Sequence, residues 1–342
     1  MGELKNPPWG RWLGLLVVLV ALVGLALLPR FGGYFTVILT TEILIMALFA
    51  TSYNLVFGYT GMLSFGHAAF FGMGTYTTAA ILRDFSVDFI WLLPASMATA
   101  GLLALAIGAL SVRRDEVYFA MLTLAFGMLI HAVAYQWRSF TNGSDGITGF
   151  PLGGLAPGVN INLANPMVYY YVVLGVVVVA LGVLYRITRS PLGLVLVALR
   201  ENPERVAFTG LSIYRYRLVA FGISGAFSGL AGALFAPFSR VASPEHLHWS
   251  TAAEPVLMTV LGGSQVFLGP LVGSAAFLLL KDWITATTDQ WMLVLGIVLG
   301  IVVIVFPGGL LGTLQQGLAW LGVRIQGRST PGVDPKKAVK AP

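Results

Sequence analysis

The chain has no cysteine among its 342 residues, and it has few lysines. Without cysteine it can form no disulfide, Cys-based zinc site, iron–sulfur cluster or thiol nucleophile. None of the lysines follows a glycine; they are Lys5, Lys281, Lys336, Lys337 and Lys340. Because the phosphate-binding loop of P-loop ATPases needs a Gly-Lys pair, we predict that this chain does not hydrolyse ATP by itself.

Charged side chains are also scarce. They make up 10% of the residues, while the apolar set makes up 57%, and soluble domains carry about 25% charged residues. A water-soluble fold needs more polar surface than this chain supplies. Uncharged stretches long enough for a helical pass of about 20 residues recur along it. We therefore predict an all-α integral membrane protein.

We expect a bundle of about ten (8–10) transmembrane helices in a single domain over residues 12–320, because an ionised group at the bilayer centre costs several kcal/mol and the spans must follow charge-free stretches. Residues 31–82 supply two passes that meet near 57–60. Residues 255–280 read as a short half-helix, a turn and a full helix. The remaining spans are 12–28, 89–112, 117–137, 167–185, 218–239 and one within 290–323.

The basic residues orient this bundle. Of the 20 lysines and arginines, 15 fall on one side of the predicted spans and five, among them Lys281, on the other. The positive-inside rule therefore places both termini (1–11 and the basic, disordered tail 321–342) and the loop 186–216 in the cytoplasm, and the loop 138–166 outside. The formal charge of +6 is thus a topology signal, and we expect no nucleic-acid partner.

The inner loop carries two helix starts in series. Ser190-Pro191 and Asn202-Pro203 both place a cap residue before a proline at the first helical position. Glu204 then lies in the first turn of the second helix, and Gly210 ends it. Two interpretations stay open: a surface on which a partner docks, and a connection that lies along the lipid headgroups.

Two apolar segments, 58–74 and 261–273, are broken by glycines. In transporters, such interrupted segments build a polar path, since freed backbone groups are tolerated only beside water or protein. The ionisable residues within the spans are Glu42, His67 and His131. For His67 the sequence favours hydrogen bonding within the bundle, whereas for Glu42 packing and function are balanced.

The outer loop contains two dipeptides that favour positive φ, Asn142-Gly143 and Asp145-Gly146. They predict a compact, structured loop. A surface that receives a partner and a tight surface turn both fit this composition. Small residues also recur four apart, at Gly225 and Gly229 and at Gly296 and Gly300, a spacing that predicts close helix packing.

Several segments together resemble one family, the LivM-type permease subunits of branched-chain amino-acid ABC importers. Their order and spacing fit from about residue 35 to residue 315, so the resemblance covers most of the chain. The segments are GYTGMLSFGHAAF at 58–70, VYFAMLTLAF at 117–126, TNGSDGI at 141–147, SPLG at 190–193, RENPE at 200–204, LGG at 261–263 and GP at 269–270.

The resemblance implies a permease in a bacterial or archaeal cytoplasmic membrane that pairs with a homologous LivH-type permease. Two cytoplasmic ATPases and an extracytoplasmic substrate-binding protein would complete the importer, and no cofactor or metal is implied. It assigns ATPase coupling to Glu201, Asn202, Pro203, Glu204 and Gly210. We expect the translocation path to involve Glu42, Gly61, Ser64, Gly66 and His67. We expect the binding protein to dock on Asn142, Gly143, Ser144, Asp145 and Gly146.

The chain departs from the family pattern in places. Gln265 and Val266 stand where the family usually has Gly and Thr, and Asn142 stands where Gly is common. Related urea permeases tend to have Thr-Asn where this chain has Ser144-Asp145, which favours the amino-acid branch. The alternatives are a permease for urea or short-chain amides and, from another class, a stand-alone ion-coupled secondary transporter that uses Glu42. A membrane enzyme finds no support, since the spans hold no catalytic cluster.

Overall fold

A computed structural model describes the greater part of the chain, namely residues 20, 22–30, 32–85, 87–113, 116–152, 154–156, 162–288, 290–306 and 308–313. The predicted N-terminus 1–11, the start of the first predicted span and the tail 321–342 lie outside the described residues. Within them, helix dominates, as the sequence predicts.

The first helical residues described are Val20 and residues 22–30, the latter named α1. The helices that follow are α2 Tyr34–Phe57, α3 His67–Asp84, α4 Phe89–Ser111, α5 Glu116–Gln136, α6 Arg138–Thr141, α7 Pro166–Thr188, α8 Pro191–Glu201, α9 Pro203–Phe208, α10 Ile213–Ser239, α11 Trp249–Gly262, α12 Gly269–Thr287 and α13 Trp291–Val305. Two short 3-10 helices, Gly143–Asp145 and Pro244–Leu247, and two strands, β1 Ile147–Thr148 and β2 Val241–Ala242, lie between them.

Five helices among the described residues are long and apolar enough to cross a bilayer: Tyr34–Phe57, Phe89–Ser111, Val117–Gln136, Pro166–Thr188 and Ile213–Ser239. Each coincides with a predicted span. The two helices predicted over 31–82 are present as α2 and α3, joined by residues 58–66. Of the two, α2 is among the five apolar spans and α3 is not. The chain is therefore a multi-pass, all-α membrane protein.

Helix α10 lies at the centre of the bundle, packed against α2, α3 and α4. Its small residues make this possible: a Cβ atom on Gly229 would collide with Ala100 of α4 and lie 2.7 Å from the Ser96 carbonyl oxygen. Gly225 meets Ala104 in the same way. The predicted close packing is confirmed at this pair. At Gly296 and Gly300 of α13 it is not, because a Cβ there meets no described atom within 4 Å.

Helices α11 and α12 form a hairpin around a turn at 263–268. The prediction that the half-helix begins at Pro255 was wrong: α11 begins at Trp249, where the His248 side chain accepts a hydrogen bond from the Ser250 N–H and caps the helix. Helix α12 likewise continues past the predicted end of its span, through Lys281 to Thr287. Gly263 makes the turn possible with a φ of 107°.

The two short strands pair antiparallel, with Ile147 opposite Ala242 and Thr148 opposite Val241. This ribbon ties the loop after α5 to the segment that follows α10. The sequence did not indicate it, because two-residue strands carry no periodic pattern. It fixes the loop at 142–146 to the bundle.

Candidate functional site

The short helices α8 and α9 lie together at one end of the bundle. Asn202 caps α9 as predicted, since its Oδ1 accepts a hydrogen bond from the Arg205 N–H at 2.9 Å, and Gly210 follows the helix with a φ of 81°. Ser190 occupies the N-cap position of α8, but its hydroxyl donates backwards to the Ile187 carbonyl at 2.6 Å. The predicted side-chain cap at Ser190 is therefore absent, and Pro191 alone favours the start of α8.

Both helices are anchored to the bundle by their apolar faces. Leu196, Leu199 and Val206 are buried in a cluster with Leu55 of α2 and Ala220 of α10. Glu201 and Glu204 are exposed on the other side. The residues assigned to coupling therefore form one continuous segment, with an anchored apolar face and an open polar face.

At the end of α9, Phe208 is 91% exposed. An aromatic side chain buries much apolar area when it is covered. Phe208 therefore offers an apolar contact on the open side of α9, toward either a protein or the lipid headgroups. Sequence reasoning missed this residue. In a chain so rich in apolar residues, nothing in the sequence separates an exposed phenylalanine from a buried one.

Between α2 and α3 the chain runs without helical structure from 61 to 66. Its residues alternate: Gly61, Leu63 and Phe65 are half-buried, whereas Met62, Ser64 and Gly66 are buried. Successive residues of this segment therefore lie on opposite sides of it. The segment is held to α5 by a hydrogen bond from the Phe65 N–H to the Thr123 hydroxyl at 3.2 Å.

The buried side of this segment joins a polar network around His67. The His67 Nε2 lies 2.8 Å from the Ser224 hydroxyl, and its Nδ1 lies 3.1 Å from the Ser64 hydroxyl. Ser224 donates its proton to the Ser52 carbonyl at 2.6 Å, so it must accept from a protonated Nε2. The Nδ1 of a neutral ring then accepts from Ser64. His67 is fully buried and satisfied within the bundle, as the sequence favours.

The other side of the segment lines an open groove of about 390 Å³ against α5. That volume falls within the range of pockets that hold small ligands, roughly 300–1,000 Å³. Every lining residue is apolar; they are Gly61, Leu63, Phe65, Val117, Ala120, Met121 and Leu124. Leu63 and Phe65 were missed by sequence reasoning, because Met62 beside them is also apolar and the segment shows no alternation of apolar and polar residues.

Glu42 lies apart from these residues. It precedes Tyr53 by 11 positions on α2, which is roughly 16 Å at 1.5 Å per residue. The Tyr53 ring contacts the His67 ring, with centroids 4.9 Å apart. Lys281, which bonds Glu254 at 3.1 Å, acts electrostatically on Glu42. The structure thus brings together Gly61, Ser64, Gly66 and His67 but places Glu42 beside a charged group on α11 and α12.

The loop after α5 is compact, as predicted. Asn142, Gly143 and Gly146 have φ values of 62°, 63° and 68°. The Thr141 hydroxyl donates to the Ala134 carbonyl at 2.6 Å and accepts from the Gly143 N–H at 3.3 Å. Gly143 and Gly146 are buried, and the side chains left exposed are those of Asn142, Ser144 and Asp145.

The sequence model of a family described as "Branched-chain amino acid transport system / permease component" matches residues 35–305. The chain is 31% identical over 320 residues to the high-affinity branched-chain amino acid transport system permease protein LivM of Escherichia coli (strain K12), covering 86% of this chain and 74% of that protein. It is 30% identical over 299 residues to LivM of Salmonella typhimurium, covering 80% and 69%. It is 24% identical over 284 residues to LivH of Salmonella typhimurium, covering 78% and 91%.

No solved structure matches the chain. The family match spans the helices from α2 to α13, and it includes both the segment 61–66 and the capped helix α9. The chain therefore belongs to the family of branched-chain amino acid transport system permease components.

Proposed function

We propose that this chain is a membrane-spanning subunit of an ATP-driven importer of branched-chain amino acids in a bacterial or archaeal cytoplasmic membrane. It would pair with a homologous LivH-type permease, two cytoplasmic ATPases and an extracytoplasmic binding protein. The observation that carries this proposal, beside the family match, is helix α9. A six-residue helix with a side-chain cap and a 91% exposed phenylalanine needs a surface to dock on.

The ATPase would dock on the exposed face of α9. The shape and charge of this face are set by Glu201, Asn202, Pro203, Glu204 and Gly210. Phe208 supplies its apolar anchor. Aromatic residues that fill a pocket on the partner carry much of the binding energy at protein interfaces. The lack of a Gly-Lys pair in the chain agrees with ATP being hydrolysed on another subunit.

The substrate path would follow the groove between segment 61–66 and α5. Non-helical backbone at membrane depth is tolerated where protein or a water-filled cavity covers it, not against lipid. We therefore place the partner permease over this groove, with Gly61, Leu63 and Phe65 on the path. The buried side of the segment is held in place by Ser64, Gly66 and His67. Glu42 is not on this path, since it lies in the charged group nearer the other end of α2.

The binding protein would dock on the outer loop. Asn142, Ser144 and Asp145 offer polar groups on a loop that is fixed by positive-φ residues and by the pairing of β1 with β2. A preformed loop loses little conformational entropy when a partner binds. Gly143 and Gly146 contribute by their backbone conformation rather than by direct contact.

The test is co-purification from native membranes. Tagged wild-type chain is expected to retain two ATPases and a second permease, while Glu204→Arg, which reverses a charge on the docking face, loses the ATPases. Asp282→Arg makes the same change on α12 and should retain them. A chain that purifies alone and moves substrate in liposomes without ATP would refute the proposal.

A further inference from the structure

Arg200 occupies the last turn of α8, two residues before the cap of α9. Its guanidinium reaches across to the turn after α2, where Nη1 donates to the Gly58 carbonyl at 2.6 Å. Nη2 donates to Glu201 at 3.0 Å. This contact joins the α8–α9 segment to the turn that leads into segment 61–66. Tyr59 in the same turn packs on the apolar cluster of α8 and α9.

Both Arg200 and the turn after α2 have features that favour this contact. The Gly58 carbonyl lies at the C-terminal end of α2, where carbonyls lack intrahelical donors and a cation is favoured. Gly61 has a φ of 77°, and a Cβ on it would lie 2.9 Å from the Arg200 Cγ. The arginine stem therefore packs on a glycine whose conformation and lack of side chain allow the approach. The side chain is 28% exposed.

The turn that Arg200 holds also touches two other parts of the bundle. A Cβ on Gly58 would collide with the Asn54 side chain of α2 and with the Ser264 carbonyl in the turn between α11 and α12. Gly61 itself lines the groove. A displacement of Arg200 would therefore act on the groove wall and on the α11–α12 hairpin together.

We propose that Arg200 is the positioning residue that transmits movement of helix α9 to segment 61–66, and so to the width of the groove. This inference rests on the proposed function, because it needs an ATPase that moves α9. The apolar cluster under α8 and α9 anchors both helices to the bundle, but its contacts have no preferred direction. The charge-assisted hydrogen bond of Arg200 to Gly58 and the packing of its stem on Gly61 have a defined geometry. They therefore transmit a displacement of the helices to the turn that leads into segment 61–66.

The absence of cysteine from the chain allows a direct test in the whole complex. A single Leu63→Cys substitution reports the opening of the groove through its rate of alkylation by a thiol reagent, read on the tagged chain. The rate is compared between nucleotide-free and vanadate-trapped complexes. Arg200→Met is the test variant, and Arg186→Met, in the last turn of α7, is the matched control.

The parent complex carries Leu63→Cys alone. In the parent and in the Arg186→Met complex, we expect the alkylation rate to change about fivefold or more on trapping. A fivefold change is the lower end of the coupling usually found between two sites. In Arg200→Met the ATPases remain bound and trap vanadate, but the rate no longer changes. An Arg200→Met complex that shows the parent's change overturns the inference. A purely structural role would lower stability without removing the nucleotide dependence.

Arg200→Lys is the second variant and covers the case in which Arg200→Met does not assemble. A lysine keeps the charge but lacks the fork that reaches both Gly58 and Glu201, so we expect a reduced change on trapping; an undiminished change overturns the inference. Loss of ATPases from the parent complex would instead refute the proposed function, so the two failures are distinguishable.

Discussion

Replacement of Phe208 by alanine tests the docking face of α9. The side chain is 91% exposed in the isolated chain, so its removal leaves no cavity in the bundle. If an ATPase covers it, the variant loses the free energy of burying a phenylalanine, about 1.5–3 kcal/mol. Since each 1.4 kcal/mol is a factor of ten in affinity, the ATPases should bind about 10- to 100-fold more weakly.

The measurement is the ATPase dissociation constant for the purified permease pair in detergent, together with the thermal midpoint of the permease. Phe208→Ala should weaken binding and leave the midpoint unchanged, because surface substitutions stay within about 0.5 kcal/mol. Leu194→Ala on α8 removes another exposed apolar side chain, 70% exposed, and serves as the control. Equal ATPase affinity in wild type and Phe208→Ala would refute the assignment of Phe208 as the anchor.

Three further substitutions test the bundle and the outer face. Gly229→Ala should lower the thermal midpoint, since the added methyl overpacks the contact with α4 by about 1–3 kcal/mol; Gly175→Ala, where the methyl meets nothing within 4 Å, should not. His67→Leu should lower the free energy of unfolding by about 1–3 kcal/mol in denaturant titration, because it leaves the buried Ser224 hydroxyl without its donor; an unchanged value would contradict the network. Asp145→Lys should slow association of the binding protein and alter its salt dependence while ATPase binding is retained; unaltered association would exclude Asp145 from the docking surface.

Local signals predicted α9 well. Asn202 before Pro203 defined its start and Gly210 its end, because capping and positive φ depend on neighbouring residues. The long spans could be predicted equally well, because a helix that crosses the bilayer needs a charge-free run whatever the fold around it. The sequence indicated that His67 forms hydrogen bonds within the bundle. It could not identify Ser224 as the partner, because Ser224 is 157 positions away.

The groove could not be predicted in the same way. Segment 61–66 has the glycine-broken appearance of an interrupted helix, and only the structure shows that its odd-numbered residues line the groove. In the sequence, Arg200 was one of 15 basic residues on one side and the first residue of the RENPE segment, and neither pattern indicated what it contacts. Its contact with Gly58 spans 142 positions, and long-range contacts of this kind leave no trace in local periodicity.

We propose above that this chain forms the path of an ATP-driven importer. The most direct test is uptake of labelled leucine, isoleucine or valine into proteoliposomes that contain the chain with its co-purified permease, ATPases and binding protein. We expect uptake that requires ATP and the binding protein and that stops under vanadate. Uptake that continues without ATP under an ion gradient, or that accepts urea in place of the amino acids, would contradict it.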